Sequence, residues 1–209
     1  TGLVGRNFFE ASSSTGYQVF APSSKELNLL SFSSTKAWFK KNNVDLIIHA
    51  AGIVGGIEAN IRSQSVFLTK NSDMARNLFT VAFDSGVTRA INLGSSCMYP
   101  KNAINPLKED EILNGKLEPT NEGYALAKIY AYKLCQFLSE TKTVSYKTVL
   151  PCNLFGKYDT YDDSSSHMIP AVIKKIHYAK LGNHKVVDIW GDSKARREFM
   201  DVRDLVNFL

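Results

Sequence analysis

The chain has 209 residues, of which 44% are hydrophobic and 22% charged. This composition is typical of a globular protein and excludes disordered, collagen-like and coiled-coil chains. The formal net charge is +5, but the basic residues are spread along the chain. Scattered charge favours anionic small molecules or solubility over nucleic-acid binding. We therefore expect no nucleic acid as partner. No apolar run approaches the roughly 18 to 20 residues of a membrane span, so we expect no membrane as partner either.

The predicted elements alternate between apolar and amphipathic segments. In chain order they are a strand at Tyr17–Ala21, a helix at about Ser34–Lys41, a strand at Asp45–Ala51, a helix at Gln64–Ser85, a strand at Ala90–Gly94, a helix at Tyr124–Glu140 and a strand at Tyr146–Leu150. Strands that alternate with helices predict an α/β fold, in which a doubly wound parallel sheet carries helices on both faces.

The first residues are similar to a glycine-rich turn that enters a helix. Gly2 and Gly5 are three residues apart, and in dinucleotide-binding units such glycines let backbone amides approach a pyrophosphate. Ordinary helix-entry turns have the same spacing, so this interpretation depends on the βαβ pattern that follows. The first strand and first glycine of such a unit are absent, and we expect the chain to begin inside the motif.

The cysteines indicate the compartment. Cys97, Cys135 and Cys152 are an odd number at wide spacing, which fits neither a disulfide framework nor a zinc site. We therefore expect no bound metal. No secretory signal is visible, and the cysteine pattern suits a reducing compartment, so we predict a cytoplasmic protein.

Three residues suggest acid–base chemistry at a carbonyl. Tyr124 and Lys128 are four residues apart on a predicted helix and therefore share a face. Ser95 follows a predicted buried strand, where ligand crevices open in parallel sheets. A phenol is a poor acid–base catalyst near neutral pH unless a cation stabilises its anion. Lys128 supplies that charge in this hypothesis, and Ser95 hydrogen-bonds a substrate carbonyl; a solvent-facing Tyr–Lys pair is the alternative.

Longer motifs carry a resemblance to a known family. They are Ala50–Ile57, Leu93–Pro100, Leu117–Glu122, Tyr124–Lys128, Pro151–Gly156, Ser166–Pro170 and Arg197–Phe199. With them the chain resembles the extended short-chain dehydrogenase/reductases, and among these the enzymes that epimerise and reduce GDP-4-keto-6-deoxy-D-mannose to GDP-L-fucose. The resemblance implies a Rossmann-type NADP-binding domain at residues 1–154, without its first strand. A smaller substrate lobe, here truncated, is implied at residues 155–209.

The resemblance also implies roles for individual residues. Cys97 and His167 match the base and acid that invert C3 and C5 of a 4-keto sugar. Tyr124 then protonates the C4 oxygen as hydride arrives, while Ser95 orients the carbonyl and Lys128 tunes Tyr124. The residues expected to contact the cofactor are Gly2, Gly5, Tyr124, Lys128, Pro151, Asn153, Leu154 and His167. Those expected to bind the sugar nucleotide are Lys175, Trp190 and Arg197.

The loop after Tyr17–Ala21 indicates the cofactor, and the two long helices indicate the assembly. No Asp or Glu ends the Tyr17–Ala21 segment to hold a free ribose hydroxyl, and Lys25 with neighbouring serines suits a phosphate. NADP is therefore the expected cofactor. Family members dimerise through two long helices, here Gln64–Ser85 and Tyr124–Glu140, so the resemblance implies a homodimer.

Two positions depart from the family pattern, and alternatives stay open. Gly123 stands where relatives usually have proline, and Asp201 where they usually have an aromatic residue or histidine. Either change suits a different sugar, and the same chemistry on a GDP-4-keto-3,6-dideoxy sugar or a GDP-4-keto-6-deoxy-heptose is one alternative. A non-catalytic NADP-sensing protein is another, although it has no need of Ser95, Tyr124 and Lys128 in register. A simple dehydratase or C4-epimerase has no need of Cys97 with His167.

Overall fold

The computed structural model describes residues 2–13, 15–163, 166–189 and 196–209. In these ranges the helices are α1 (Leu3–Ser12), α2 (Phe32–Phe39), α3 (Ile57–Arg62), α4 (Gln64–Asp84), α5 (Glu122–Glu140), α6 (Met168–Leu181) and α7 (Val202–Phe208). The strands are β1 (Leu46–His49), β2 (Arg89–Leu93), β3 (Ser145–Val149), β4 (Asn153–Phe155) and β5 (Phe199–Asp201). Short 3-10 turns lie at Ser96–Met98, Glu109–Glu111 and Pro119–Asn121.

The main sheet is parallel, as the alternation of elements predicts. Its order is β1-β2-β3, and β4 pairs in parallel with β5 in a second, smaller sheet. The register places Ile48 opposite Ile91 and Ile91 opposite Lys147. The carboxyl ends of β1, β2 and β3 therefore lie at the same edge, where the chain leaves each strand.

Helices α2, α4 and α5 cover one face of this sheet. The core between them is apolar, with Phe79 and Ala82 fully buried on α4 and Cys135 1% exposed on α5. Burial of a side chain as large as Phe79 contributes roughly 1.5–3 kcal/mol. A second cluster surrounds Met98, just beyond β2, and includes Ala125 and Ile129 of α5. This cluster fixes the start of α5 against the end of β2.

The strand predicted at Tyr17–Ala21 is wrong for this structure. The segment has no regular secondary structure and pairs with no strand in the described part of the chain. A strand needs a neighbour for its backbone N–H and C=O groups, and β1 pairs with β2 alone among the described strands. The segment packs through side chains instead, since the Phe20 ring meets Trp38 edge-on at 5.8 Å.

Two further observations bear on the class of protein. In the described ranges no helix combines the length and apolar character needed to cross a bilayer. The same ranges hold no group of three or more His, Cys, Asp and Glu side chains arranged for a metal ion.

Candidate active site

The chain stays extended through Ser95 after β2 and then enters a 3-10 turn. A β-carbon added to Gly94 would lie 3.0 Å from Met98 Sδ and 3.1 Å from Thr148 Cγ2, so a side chain here would force these neighbours to move. Ser95 then caps the 3-10 turn at Ser96–Met98, its Oγ accepting from the Cys97 N–H at 3.4 Å. Ser95 and Cys97 therefore leave the sheet together at the carboxyl end of β2, where parallel sheets bind ligands.

Helix α5 brings two more of the predicted residues to the same place. The buried Lys128 ammonium donates to the Leu93 carbonyl oxygen at 2.8 Å and lies 5.6 Å from the centroid of the Tyr124 ring. Because the two residues are four apart on the helix, both side chains reach the end of β2. Ser95, Cys97, Tyr124 and Lys128 thus form one cluster, called here the strand-end site.

Burial dominates the acid–base behaviour of the strand-end site. It lowers the pKa of Lys128 to about 8, against a smaller opposing effect of Cys97. It raises the pKa of the Tyr124 phenol far above its usual range, with Cys97 adding to the rise. At neutral pH Tyr124 is therefore a protonated phenol, and Lys128 is a cation in most molecules.

Cys97 differs from its expected state. Burial raises the pKa of its thiol, and this effect outweighs the hydrogen bond from Ser95 and the positive charge of Lys128, both of which lower the pKa. A thiolate base needs a lowered pKa. The cation and hydrogen bond that favour the thiolate are thus both in place, but desolvation is the stronger effect in this structure.

Two asparagines that belong to no recognisable sequence motif hold the glycine-rich loop after β1. The Asn71 amide accepts from Ile53 N–H at 2.8 Å and donates to the Ile53 carbonyl at 3.0 Å. Asn60 donates to the carbonyls of Gly55 and Gly56 at 2.7 and 3.0 Å. Lone asparagines on helices carry no recognisable motif, so only the fold reveals that they shape this loop.

The loop approaches the strand-end site through Phe67. A β-carbon on Gly55 would lie 3.2 Å from the Phe67 ring, and the Phe67 ring meets the Tyr124 ring edge-on at 6.4 Å. The carbonyl oxygen of Ser166 lies 3.9 Å from the position of a β-carbon on Gly56. The loop therefore connects Tyr124 on one side with the residues before α6 on the other.

The glycine turn at the start of α1 fits a dinucleotide phosphate. Neither Gly2 nor Gly5 has a heavy atom within 4 Å of an added β-carbon, and no side chain caps the helix. No side chain therefore satisfies the first N–H groups of α1, which leaves them available to an anion at this helix N-terminus. Asn7 joins α1 to the chain after β4, donating to the Lys157 carbonyl at 2.7 Å.

A groove of about 910 Å³ lies beside this turn. Its lining includes Gly5, Val19, Trp38 and Glu26. Glu26 is an acidic residue five positions after the predicted strand at Tyr17–Ala21, and its carboxylate accepts from the Ser23 N–H at 2.7 Å. Hydrogen bonds from Ser23 lower the pKa of Glu26, so the carboxylate is engaged with its own loop.

Pro151, Asn153 and Leu154 follow β3 at the same edge of the sheet. Gly94 N–H donates to the Val149 carbonyl at 2.8 Å, which places the chain after β3 beside the strand-end site. The Asn153 side chain already has a hydrogen-bond partner within the protein. Its Nδ2 donates to the Glu198 carbonyl at 3.0 Å and so ties β4 to the residue before β5.

The remaining predicted residues are not gathered into one cluster. His167 is exposed and precedes α6 as its N-cap. Lys175 is exposed on α6 and donates to the Asp188 carbonyl at 2.8 Å, while the exposed Arg197 donates to the Arg196 carbonyl at 2.8 Å. Trp190 lies outside the described residues.

Known proteins resemble this chain over its whole length. A family model described as the NAD dependent epimerase/dehydratase family matches residues 1–209. The chain is 52% identical to a GDP-L-colitose synthase of Yersinia pseudotuberculosis, covering all of this chain and 68% of that protein. It is 43% identical to a GDP-L-fucose synthase of Azorhizobium caulinodans, covering all of this chain and 67% of that protein.

Solved structures resemble it in fold. A GDP-D-glycero-L-gluco-heptose synthase from Campylobacter jejuni, crystallised in the presence of NADPH, superimposes with a TM-score of 0.94 at 27% identity. The match covers 99% of this chain and 69% of that one. The fold of this chain is therefore shared with that heptose synthase.

Proposed function

The chain belongs to the NAD dependent epimerase/dehydratase family, and from this premise we propose that it is an NADPH-dependent epimerase–reductase of a GDP-linked 4-keto-6-deoxy sugar. The observation that carries the proposal is the strand-end site, where Ser95, Cys97, Tyr124 and Lys128 meet beyond β2. A ketone reductase needs a proton donor at the carbonyl oxygen, and an epimerase needs an acid–base group beside the ring. This cluster holds candidates for both.

The substrate class follows from the relatives. Two of them, at 52% and 43% identity, are named as synthases of GDP-L-colitose and GDP-L-fucose. We therefore propose GDP-4-keto-6-deoxy-D-mannose as substrate and GDP-L-fucose as product. The basic residues Lys175 and Arg197 are proposed to bind the diphosphate, since guanidinium and ammonium groups form charge-assisted hydrogen bonds with phosphate oxygens. Trp190 is proposed to lie near the substrate.

In the reductive half, Tyr124 donates its proton to the C4 oxygen of the sugar. Burial keeps this phenol protonated at neutral pH, which is the state that a general acid needs. Lys128 supplies positive charge beside the phenolate that remains, and Ser95 hydrogen-bonds the carbonyl and orients it. Both effects stabilise negative charge that develops on oxygen in the transition state.

In the epimerising half, Cys97 removes the proton from the carbon next to the ketone, and His167 returns one from the opposite face. Imidazole is a natural proton donor near neutral pH. The ketone acidifies these carbon–hydrogen bonds, and Ser95 stabilises the enolate oxygen. Burial raises the pKa of Cys97 and so disfavours its thiolate. The positive charge of Lys128 and the hydrogen bond from Ser95 are therefore needed to stabilise the thiolate.

The cofactor is proposed to be NADPH, held by Gly2, Gly5 and the residues Pro151, Asn153 and Leu154, with Tyr124, Lys128 and His167 near its reactive end. The open N-terminus of α1 fits its pyrophosphate. When bound, NADPH would supply the hydride that reduces C4. The Campylobacter structure was obtained with NADPH, which supports this choice over NAD.

Domain organisation and assembly complete the proposal. Residues 1–154 are proposed as a cofactor domain and 155–209 as part of a substrate lobe, although β4 crosses that boundary. A homodimer through α4 and α5 is supported by exposed apolar side chains on α5, with Phe137 60%, Tyr130 39% and Leu126 38% exposed. Three free cysteines are compatible with a reducing cytoplasm.

The decisive experiment incubates the full protein with NADPH and GDP-4-keto-6-deoxy-D-mannose in deuterated water. We expect NADPH to be consumed and deuterium to enter both C3 and C5, read by mass spectrometry and NMR. Cys97→Ser should lose the exchange, whereas Cys135→Ser, a buried thiol of the α5 core, should keep it. NADPH consumption without exchange would leave a plain reductase, and the absence of both would refute the proposal for this substrate.

A second substrate is favoured by one observation, the higher identity to the GDP-L-colitose synthase. A 3-deoxy sugar has no stereocentre at C3, so inversion is confined to C5 while the strand-end site stays the same. Parallel assays with GDP-4-keto-3,6-dideoxy-D-mannose decide between the two. The substrate with the higher kcat/KM is assigned as the natural one.

A further inference from the structure

The first turn of α5, which carries Tyr124, is capped by another helix. Backbone N–H groups at a helix start need partners from outside the helix, and the N-cap Asn121 offers none from its side chain. Gln64, the first residue of α4, fills this role: its Oε1 accepts from the Gly123 N–H at 2.8 Å. Its Nε2 donates to the Pro119 carbonyl at 2.7 Å. One amide therefore bridges both ends of the short turn 119–123.

The two helix starts touch through their backbones. A β-carbon on Gly123 would lie 2.4 Å from the Gln64 carbonyl oxygen and 3.0 Å from its carbon. These are backbone atoms, which cannot rotate away as a side chain does. Glycine thus permits this approach and at the same time keeps the N–H that Gln64 binds, whereas a proline would have no N–H to donate.

The same turn of α4 also holds the Tyr124 ring. Phe67 lies three residues after Gln64, on the same face of the helix, and is 5% exposed. Its ring meets Tyr124 edge-on at 6.4 Å, and Lys128 approaches Tyr124 at 5.6 Å. The backbone before Tyr124 is fixed by Gln64, and its ring is held by Phe67 and Lys128.

We propose that Gln64 is a positioning residue for Tyr124, acting through the hydrogen bond to Gly123. The inference rests on the proposed reductase activity, in which Tyr124 donates a proton to the C4 oxygen. A displacement of this helix start moves the phenol relative to Ser95 and Cys97, which are attached to β2 and not to α5. Loss of Gln64 should therefore harm proton donation selectively, leaving carbon acid–base chemistry largely intact.

The test compares Gln64→Met with Gln136→Met in the full protein. Methionine keeps the length of the side chain but forms neither amide hydrogen bond. Gln136 lies further along α5, where it accepts from Lys133 at 2.9 Å, and serves as the matched control. For each variant we would measure kcat and KM for NADPH oxidation, deuterium exchange at C5 without NADPH, and the melting temperature.

A positioning role predicts that Gln64→Met lowers kcat for reduction by about tenfold, as small misplacements of reacting groups do. The KM for NADPH, the exchange rate and the control variant should stay near wild-type values. Equal losses of reduction and exchange would make Gln64 merely structural and overturn the inference, as would an unchanged kcat. Failure of the proposed function is recognised separately, because the wild-type protein would then show no reduction at all.

Discussion

The strand-end site and the region around α6 differ in how far their charged groups are exposed to solvent. Lys128 in the strand-end site is buried, and burial lowers its pKa to about 8. His167, Lys175 and Arg197 around α6 and before β5 are exposed. The first region is organised by the sheet and by the contact of α4 with α5. The second presents long side chains whose polar atoms contact the backbone of nearby residues.

This difference suggests which part of the proposed reaction each region would control. Buried groups with fixed neighbours stabilise charge strongly, because water does not compete with them. Exposed cations bind anions more weakly, since solvent screens them. We therefore expect changes in the strand-end site to act on rates and on the stability of the fold, and changes around α6 and before β5 to act on substrate affinity.

The largest effect is expected for Tyr124→Phe. The substitution removes the proposed proton donor and keeps the ring that packs against Phe67, so reduction should fall by about 10³-fold while the fold persists. Steady-state NADPH oxidation and circular dichroism measure the two effects. Tyr132→Phe, on the same helix, is the control. A Tyr124→Phe enzyme with wild-type kcat would assign the proton to another group.

A pair of glycines separates packing from cofactor binding. Gly123→Ala introduces a β-carbon against the Gln64 backbone, and we expect it to lower the free energy of unfolding by about 1–3 kcal/mol. Gly5→Ala fills open space inside α1, so its free energy of unfolding should stay equal or rise by up to about 1 kcal/mol.

The same pair differs in cofactor affinity. Gly5→Ala should weaken NADPH binding at least about tenfold by keeping the pyrophosphate from the backbone amides, as fluorescence titration would measure. Urea unfolding supplies the stability values. Normal NADPH affinity in Gly5→Ala would show that the glycine turn does not bind the cofactor. A free energy of unfolding of Gly123→Ala equal to that of the wild type would contradict the close approach of α4 and α5.

Lys128→Met tests the cost of the buried charge. The pKa of Lys128 falls from 10.5 to about 8 in the folded protein, so below pH 8 folding pays for a desolvated cation. We expect the variant to lose its reductase activity. Its free energy of unfolding at pH 7 should nevertheless be about 1–3 kcal/mol higher than that of the wild-type protein.

The sign of its pH dependence follows from linkage. Between pH 8 and 10.5 the unfolded wild-type chain binds more protons at Lys128 than the folded protein does, so wild-type stability rises with pH. The advantage of Lys128→Met should therefore shrink as pH rises from 8 to 9.5 in urea titrations. Lys133→Met, further along α5, is the control. An advantage that is independent of pH would show that the charge of Lys128 is not its source.

The smallest effect on the fold is expected for Arg197→Ala. Its side chain is exposed, so the melting temperature should not change. The KM for the sugar nucleotide should rise about tenfold through loss of a charge-assisted hydrogen bond, while kcat stays near wild type. Arg196→Ala, one residue earlier, is the matched control. A fall in kcat at constant KM would instead assign Arg197 to the chemical step and contradict the proposed difference between the two regions.

The sequence by itself determined the parallel sheet and predicted three residues of the strand-end site, Ser95, Tyr124 and Lys128, because these depend on local patterns, whereas Cys97 was expected from the family resemblance. Apolar runs and helical periodicity place β1, β2, β3, α4 and α5 within a residue or two of their observed bounds. The four-residue spacing of Tyr124 and Lys128 puts them on one helical face, and Ser95 follows a strand end. Such patterns survive folding, since the side chains involved are near neighbours in the chain.

Only the tertiary structure decided the features that join distant parts of the chain. The segment 17–21 has a strand-like sequence but no pairing partner in the described structure, and pairing is what makes a strand. Gln64 and Gly123 are 59 residues apart in the chain, so no local sequence pattern predicts their contact. The pKa of Cys97 likewise depends on how deeply the fold buries it. Hydrogen-bond partners and desolvation are set by packing between elements, which the order of residues alone does not specify.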